Sequence, residues 1–461
     1  MKLYAAFLDF GAIADEFGVT TRFPKEVEDQ ALQLVDALPD RRIDRRDIEL
    51  VTVDPPGSQD LDQAVCIEKT PEGFRVFYAI ADVAAFLNYE EHNLVAQESL
   101  RRGQTIYLPD EPARLHPAVL SEGAASLLPK AERPAVLWTI DIDPAGEVID
   151  FRIDRALICS RARFDYKQVQ QDHADGSLHP SLLYLFEVGR LRRGSKLRST
   201  AINLRIPSQS VEKEPDGEMH LVIEPRYESM DANSEISLLA GMCAGNLMAQ
   251  HGVGVLRSLA PAKKSALEAF AQEATVLGFP ADIDLDSISL EEPRSMVLMR
   301  AAQKLLRGAE YRVLGEDTAE VHAGVGGYYS HVTAPLRRLI DRYATEICLS
   351  LYHDQPIPAW VTETLPEAVA AMKHSSATAS AVDKACLDLT EATVLSPWVG
   401  HNFKAVVLSN NEAGASSRIF VEDPPVIAEC LGLPAVGEQT TVTLISTDVE
   451  KREIRFAWPA D

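Results

Sequence analysis

Apolar residues recur at helical spacing early in the chain and at strand spacing soon after. In FPKEVEDQALQLVDAL, Val27, Ala31, Leu32, Val35 and Leu38 fall on one helical face, with Pro24 near the start, so the spacing predicts an amphipathic helix there. Near residue 49 the period changes: Leu50–Val53, Ala64–Ile67, Phe74–Phe86 and Ala135–Ile142 read as strands. Asp143-Pro144-Ala145-Gly146, between Trp138–Ile142 and Val148–Ile153, is a hairpin signal. Long helical patterns follow at Ser234–His251, Lys263–Leu277, Pro293–Leu305 and Pro335–Tyr352. Residues 400–461 return to short β-type runs, Phe403–Leu408, Arg418–Val421, Thr440–Ile445 and Glu453–Ala457, with the spacing of a five-stranded OB-like barrel. The predicted class is α+β, in three parts. Residues 1–48 form a short helical segment, with room for a helical cap or a small helix-turn-helix. Residues 49–395 form a mixed domain, and 400–461 an all-β barrel.

Composition places this pattern in an ordinary globular protein: of 461 residues, 46% are hydrophobic and 25% charged. No apolar run approaches the roughly 20 residues that a membrane helix needs. The N-terminus is interrupted by Asp9, Asp15 and Glu16 and makes a poor signal peptide. The six cysteines are scattered without metal-type spacing, as in reduced cytosolic proteins, so a cytoplasmic location without membrane contact is expected. The net charge of −24 argues against a broad nucleic-acid coat. Locally the balance reverses, because residues 155–205 carry ten Lys/Arg against four acids. That stretch reads either as a solvated helix face or as a local grip on a polyanion.

The densest chemical signal is Asp54-Pro55-Pro56-Gly57-Ser58-Gln59-Asp60-Leu61-Asp62-Gln63, which sets three carboxylates on a loop between two apolar strands. Most Asp-rich loops are solvated turns. A strand end and a tight turn can also bring such carboxylates together. Hard divalent ions take one or two carboxylates and leave other positions to substrate phosphates, the arrangement used in two-metal phosphoryl transfer. A second constellation, Gly326-Gly327-Tyr328-Tyr329-Ser330-His331-Val332-Thr333-Ala334-Pro335-Leu336-Arg337-Arg338, changes the balance. Thr333 and Pro335 suggest a helix start, with Arg337 and Arg338 in its first turn as a phosphate site. The competing reading pairs an arginine with Asp341 one turn on.

Together these residues resemble the RNB catalytic domain of the RNase II/RNase R family of exoribonucleases, from about Phe23 to the C-terminus. Six landmarks occur in the family's order: Tyr78–Val83, Gly103–Pro109, Leu120–Leu127, Arg161–Tyr166, Glu235–Cys243 and Tyr329–Arg338. The resemblance implies hydrolytic, processive 3′→5′ degradation of single-stranded RNA to nucleoside 5′-monophosphates, by a monomer using Mg²⁺, with Mn²⁺ as the other candidate. It implies that Asp54, Asp60, Asp62 and Gln63 hold metal. Asp54, Asp60 and Asp62, with Arg337 on the scissile phosphate, would form the catalytic set. Tyr107 would stack on the terminal nucleotide, Tyr166 and Glu235 would contact the ribose, and Tyr329 and Arg338 would contact RNA. Taken singly, Tyr107 and Tyr166 could equally be core or hairpin tyrosines.

The sequence also departs from the family pattern. Gln63 stands where the family's D-x-D-D run has its last Asp, and Ala334 stands in T-S-P. The E-x-M-x-x-A-N helix reads Glu235-Ile236-Ser237-Leu238-Leu239-Ala240-Gly241. Asp383 is a loose match to a late carboxylate. No pair of N-terminal cold-shock barrels fits in 48 residues. The departures keep open a second reading, a catalytically weak or inactive RNB-fold RNA-binding protein. A third, an unrelated α+β hydrolase acting on small phosphoesters, is disfavoured by the ordered landmarks.

Overall fold

The run Phe74–Phe86 lacks polar alternation because, in the computed structural model, its strand is covered on both faces. The structure describes residues 4–5, 8–87, 93–198, 201–202, 204, 209–213, 219–223, 226–285, 288, 293–306, 308–315, 318–421, 423–424 and 426–460. The chain opens with β1 (Tyr4–Ala5), α1 (Gly11–Glu16), α2 (Lys25–Ala31), β2 (Ile43–Asp44), β3 (Thr52–Asp54), β4 (Gln63–Thr70) and β5 (Gly73–Ala81). After α3 (Leu94–Arg102) come β6 (Glu132–Ile142), β7 (Val148–Cys159), β8 (Arg163–Asp165), α4 (Tyr166–Ala174) and α5 (Leu185–Arg193). The main sheet has the order β2-β7-β6-β5-β4, with β2 parallel to β7 and the other pairs antiparallel. The β6–β7 hairpin turns at the expected place: Asp143 Oδ1 accepts the amides of Ala145 and Glu147, and Gly146 supplies φ +82°.

Successive side chains of β5 divide between two cores. Val76, Tyr78 and Ile80 join one with Ile236, Leu239 and Ile340, while Phe77, Ala79 and Ala81 join another with Val27, Val95 and Ala96. Residues 25–50 are thus built into one layer of the sheet rather than standing apart.

The second half supplies β9 (Gln209–Lys213) and β10 (Met219–Ile223), which form a sheet with β1 in the order β1-β10-β9, then the long α6 (Glu228–His251) and β11 (Gly254–Ser258). α7 (Lys264–Val276), α8 (Pro293–Gln303), β12 (Glu310–Leu314), α9 (Leu339–Tyr352) and α10 (Ala359–Leu395) follow. Strands β13 (Asn402–Asn411), β14 (Ser416–Val421), β15 (Val426–Leu431), β16 (Gln439–Asp448) and β17 (Glu453–Ala457) close a five-stranded barrel in the order β13-β14-β15-β17-β16. Its core is continuous with α1, the end of α10, and Ile106 and Leu108. The barrel therefore packs on the two residues that flank Tyr107. No described helix is long and apolar enough to cross a membrane, and none of the six cysteines is bridged.

Three expectations are corrected here. The predicted helix after Pro24 stops at Ala31, leaving Leu32 and Val35 exposed. Asp36 accepts the amide of Leu38 and is gripped by Arg42, and the Ala37 amide bonds Ala85, so side-chain and tertiary bonds draw this stretch out of the helix. The helix expected to open at Pro335 begins at Leu339, with Thr333 outside it. The 37-residue α10, absent from the expected helices, buries Val361, Leu365, Ala368, Met372 and Val382 at helical spacing, but Pro366 and the intervening Ala, Ser and Thr obscure that stripe in the sequence. Its hydroxyls bond back to carbonyls four residues earlier, as in Thr364 to Trp360, Thr378 to His374 and Thr390 to Cys386.

Candidate active site

The strand bearing Asp54 pairs in parallel with β8, so Asp54 lies opposite Asp165, next to Tyr166 at the start of α4. The loop from Asp54 to Asp62 is pinned from outside. Ser126 Oγ donates to the Gln59 carbonyl at 2.6 Å and accepts the Leu61 amide at 3.0 Å, while Arg163 reaches the Ser58 carbonyl at 2.6 Å. These bonds fix Asp60 and Asp62 on a loop that its own Pro and Gly residues would leave irregular.

The segment from Thr333 to Arg338 forms the opposite wall. The Ala334 amide donates to Asp341 at 2.7 Å, the Pro335 carbonyl meets His116 Nε2 at 3.2 Å, and the Leu336 amide donates to Asp62 Oδ1 at 2.7 Å. The Arg337 carbonyl accepts the Thr105 amide at 2.9 Å. Arg337 Nε lies 3.5 Å from Asp62 Oδ2, and the arginine side chain remains 45% exposed. It is the shared counter-charge of all three loop carboxylates. Burial pushes Asp54 up to about 7, raises Asp60 and holds Asp62 well above the usual carboxylate range, each opposed by Arg337. Asp54 Oδ2 and Asp62 Oδ2 are buried without hydrogen-bond partners. Among the described residues, however, no three acidic, His or Cys side chains gather in metal-binding geometry.

Tyr107 is 54% exposed, with its hydroxyl 3.5 Å from Asp60 Oδ2. It lines a cavity of about 310 Å³ with Gln104, Thr105, Arg337, Arg338, Ala379 and Asp383. Asp383, only loosely placed by sequence, thus faces the same space as Arg337. Tyr166 is half-buried near Asp54, and its hydroxyl accepts from Asn233 Nδ2 at 3.4 Å. Asn233 carried no sequence signal.

Other expected residues are engaged elsewhere. Gln63 is not free to face a metal: Nε2 donates to the Thr333 carbonyl at 2.7 Å and Oε1 accepts from Tyr78 at 2.5 Å. Glu235 is buried and paired with Arg198 at 2.8 Å. Arg338 is locked on buried Asp341 through Nε and Nη2, the pairing weighed as the alternative. Tyr329 packs edge-on against His322 and His331. In the basic stretch, Arg155 pairs with Asp82 and Glu346, Arg193 with Asp231 and Arg198 with Glu235, while Arg192 is buried on the Gly146 carbonyl. Lys167, Arg190 and Lys196 stay exposed, and Arg205 lies outside the described residues.

Comparison with known proteins gives this geometry a family. The RNB domain profile matches residues 42–353, and that of the RNase II-type exonuclease C-terminal S1 domain matches 401–458. Ribonuclease R of Chlamydia trachomatis is 25% identical over 437 residues, covering 88% of this chain, which spans only 61% of that relative's length. The fold matches Mycoplasma genitalium RNase R, solved in complex with ribose-methylated single-stranded RNA, with a TM-score of 0.85, 19% identity, and coverage of 97% of this chain and 77% of the other. It also matches yeast Ssd1, described as a pseudonuclease, with a TM-score of 0.65, 15% identity, and coverage of 88% and 53%. Fold alone therefore does not decide activity. By the extent of the RNB match, the chain belongs to the RNB family of the RNase II/RNase R type, with an S1-type barrel at its C-terminal end.

Proposed function

We propose that this chain is a Mg²⁺-dependent hydrolytic exoribonuclease that shortens single-stranded RNA processively from its 3′ end, releasing nucleoside 5′-monophosphates. The observation that carries the reading is the pairing of Arg337, which lines the Tyr107 cavity, with Asp62. The retained chemistry would be hard to explain in a binding module: a half-exposed guanidinium is held among three carboxylates whose burial disfavours their charge.

The donor set fits a hard cation. Asp54 Oδ2 and Asp62 Oδ2 are buried oxygens without hydrogen-bond partners, the latter only ion-paired with Arg337, Asp60 stands beside both, and Mg²⁺ commonly takes one or two carboxylates and leaves the rest to substrate phosphate. Asp54, Asp60 and Asp62 would hold it. When bound, it supplies charge neutralisation and an activated water. Arg337 would orient the scissile phosphate and stabilise the charge that develops there. Tyr107 would stack on the terminal base, indifferent to its identity. Tyr166, close to Asp54, offers a hydroxyl to the neighbouring ribose.

The second reading, a weak or inactive RNA-binding protein, is favoured by the absence of a three-acid metal cluster among the described residues and by the engagement of Gln63. Incubation of 5′-labelled oligo(A) with Mg²⁺ separates the two. A shortening ladder that EDTA abolishes supports the nuclease, whereas intact oligo(A) with retained binding supports the alternative.

A further inference from the structure

Four positions depart from the family pattern, and the structure lays them along one seam. Gln63 at the start of β4 touches Thr333, and Ser237 on α6 touches Gln63. Gly241, one turn further along α6, accepts the Ser330 amide on its carbonyl at 3.0 Å; a methyl there would overlap the ring of Tyr329. Ala334 donates its amide to Asp341. Gln63 and Gly241 contact the stretch 328–338, which carries Arg337, Ala334 lies within it, and Ser237 reaches it through Gln63.

The centre of the seam is a closed set of hydrogen bonds. Tyr78 Oη lies 2.5 Å from Gln63 Oε1 and 2.7 Å from Ser237 Oγ, and Ser237 Oγ lies 3.4 Å from the same amide oxygen. The orientation of the Gln63 amide is forced, because the Thr333 carbonyl can only accept and so must face the NH₂ group. An aspartate at this position could not make that bond. It would set a carboxylate toward a carbonyl oxygen, leave Thr333 unsatisfied and add a fourth negative charge beside Asp54 and Asp62.

We propose that Gln63 is a positioning residue: its carboxamide, locked by Tyr78 and Ser237, fastens the Thr333–Arg338 turn so that Arg337 stands over Asp62. The inference rests on the nuclease reading only for its kinetic consequence. On this account the amide is not a weakened metal ligand but a compensated exchange, in which a ligand position has been converted to a latch and Ser237 supplies the hydroxyl that completes it. The metal is then left to Asp54, Asp60 and Asp62.

The test uses the full chain with Gln63→Glu, Gln63→Asp, Gln63→Ala, Ser237→Ala and the Gln63→Ala/Ser237→Ala pair. Gln63→Glu preserves length and the acceptor oxygen, removes the donor to Thr333 and adds a negative charge, whereas Gln63→Ala removes the donor without adding one. Gln63→Glu should lower kcat on oligo(A) about 10- to 100-fold, the scale of a small misplacement, with KM unchanged. Hydrogen exchange of the peptide covering 328–339 should rise in the same variant. Gln63→Asp should lose activity as well, and neither variant should tighten Mn²⁺ binding measured by electron paramagnetic resonance without RNA. The Ala/Ala pair should cost no more than the worse single alanine change, the mark of two residues acting as one unit. A gain in kcat or in Mn²⁺ affinity with Gln63→Asp would overturn the proposal and make Gln63 a missing ligand. Unchanged exchange over 328–339 in Gln63→Glu would also overturn it. If wild type itself fails to shorten RNA, the nuclease reading falls, while the exchange and Mn²⁺ measurements still decide the latch.

Discussion

The carboxylate of Asp62 accepts the backbone amide of Leu336 at 2.7 Å, joining residues 274 positions apart in the chain. The bond spends one oxygen of Asp62 on fixing the turn, leaves the other facing Arg337 at 3.5 Å, and so couples the acidic loop to the cationic wall. The account of the site depends on that coupling.

Arg337 is placed by its backbone, through the amide of Thr105 and the neighbouring Leu336 bond, while its guanidinium stays accessible. Arg337→Lys preserves charge but loses the planar fork that matches a phosphate. The expected result is a fall in kcat of roughly 10²–10³-fold, with thermal stability close to wild type. Rates near wild type for the lysine variant would show that the guanidinium geometry is not used.

Tyr107 is exposed because its flanking residues Ile106 and Leu108, not its ring, are buried in the core shared with the barrel. Base stacking is worth about 1–3 kcal/mol, so Tyr107→Ala should raise KM for oligo(A) about 5- to 150-fold and Tyr107→Trp should retain affinity. Fluorescence anisotropy with a labelled oligonucleotide checks this. Equal binding by both variants would remove Tyr107 from the RNA path.

Glu235 tests the correction made by the structure. It is buried against Arg198, so Glu235→Ala leaves an uncompensated charge and should cost about 3–5 kcal/mol in urea unfolding. A ribose contact without a structural role predicts instead full stability and altered discrimination between RNA and DNA.

Much of this was legible in the sequence, for identifiable reasons. The Asp loop, whose residue types alone suit a solvated turn, stood out because it occurs with the Tyr329–Arg338 motif and the other ordered landmarks, and the barrel stood out through its turn spacing. The β6–β7 hairpin was readable because its turn chemistry is local. What escaped was decided across the fold. Gln63 and Glu235 have their partners at Thr333 and Arg198, far away in sequence, and no local pattern reports an amide bonding a remote carbonyl. α10 escaped because Pro366 and a run of Ala, Ser and Thr mask the apolar stripe, Val361, Leu365, Met372 and Val382, that packs on its neighbours.

His116 and His331 contribute a pH-dependent term to the stability of the fold. Burial, reinforced by Arg342, depresses His116 to about 3, and burial with Arg338 and Arg257 holds His331 well below its ordinary value. Both folded values lie below the unfolded value near 6.5, so the unfolded chain takes up protons first as pH falls. Their stabilising contribution is complete above about pH 6.5 and is lost as pH falls toward the folded values. The raised carboxyls of Asp54 and Asp62 act in the opposite sense over the same range, so the check is a difference: from pH 6.5 to 4 the urea midpoint of His116→Gln, which can still donate to the Pro335 carbonyl, should fall less, or rise more, than that of wild type. A variant with the wild-type slope would refute the assignment of His116.

The most direct measurement compares wild type and Asp62→Asn on 5′-labelled oligo(A) with Mg²⁺, following product length and binding in the same preparation. The account predicts stepwise 3′ shortening to short products, with release of nucleoside 5′-monophosphates, by wild type. For Asp62→Asn it predicts a loss of at least about 10³-fold in rate with RNA binding retained. Intact oligo(A) with wild type, or undiminished shortening by Asp62→Asn, would contradict it.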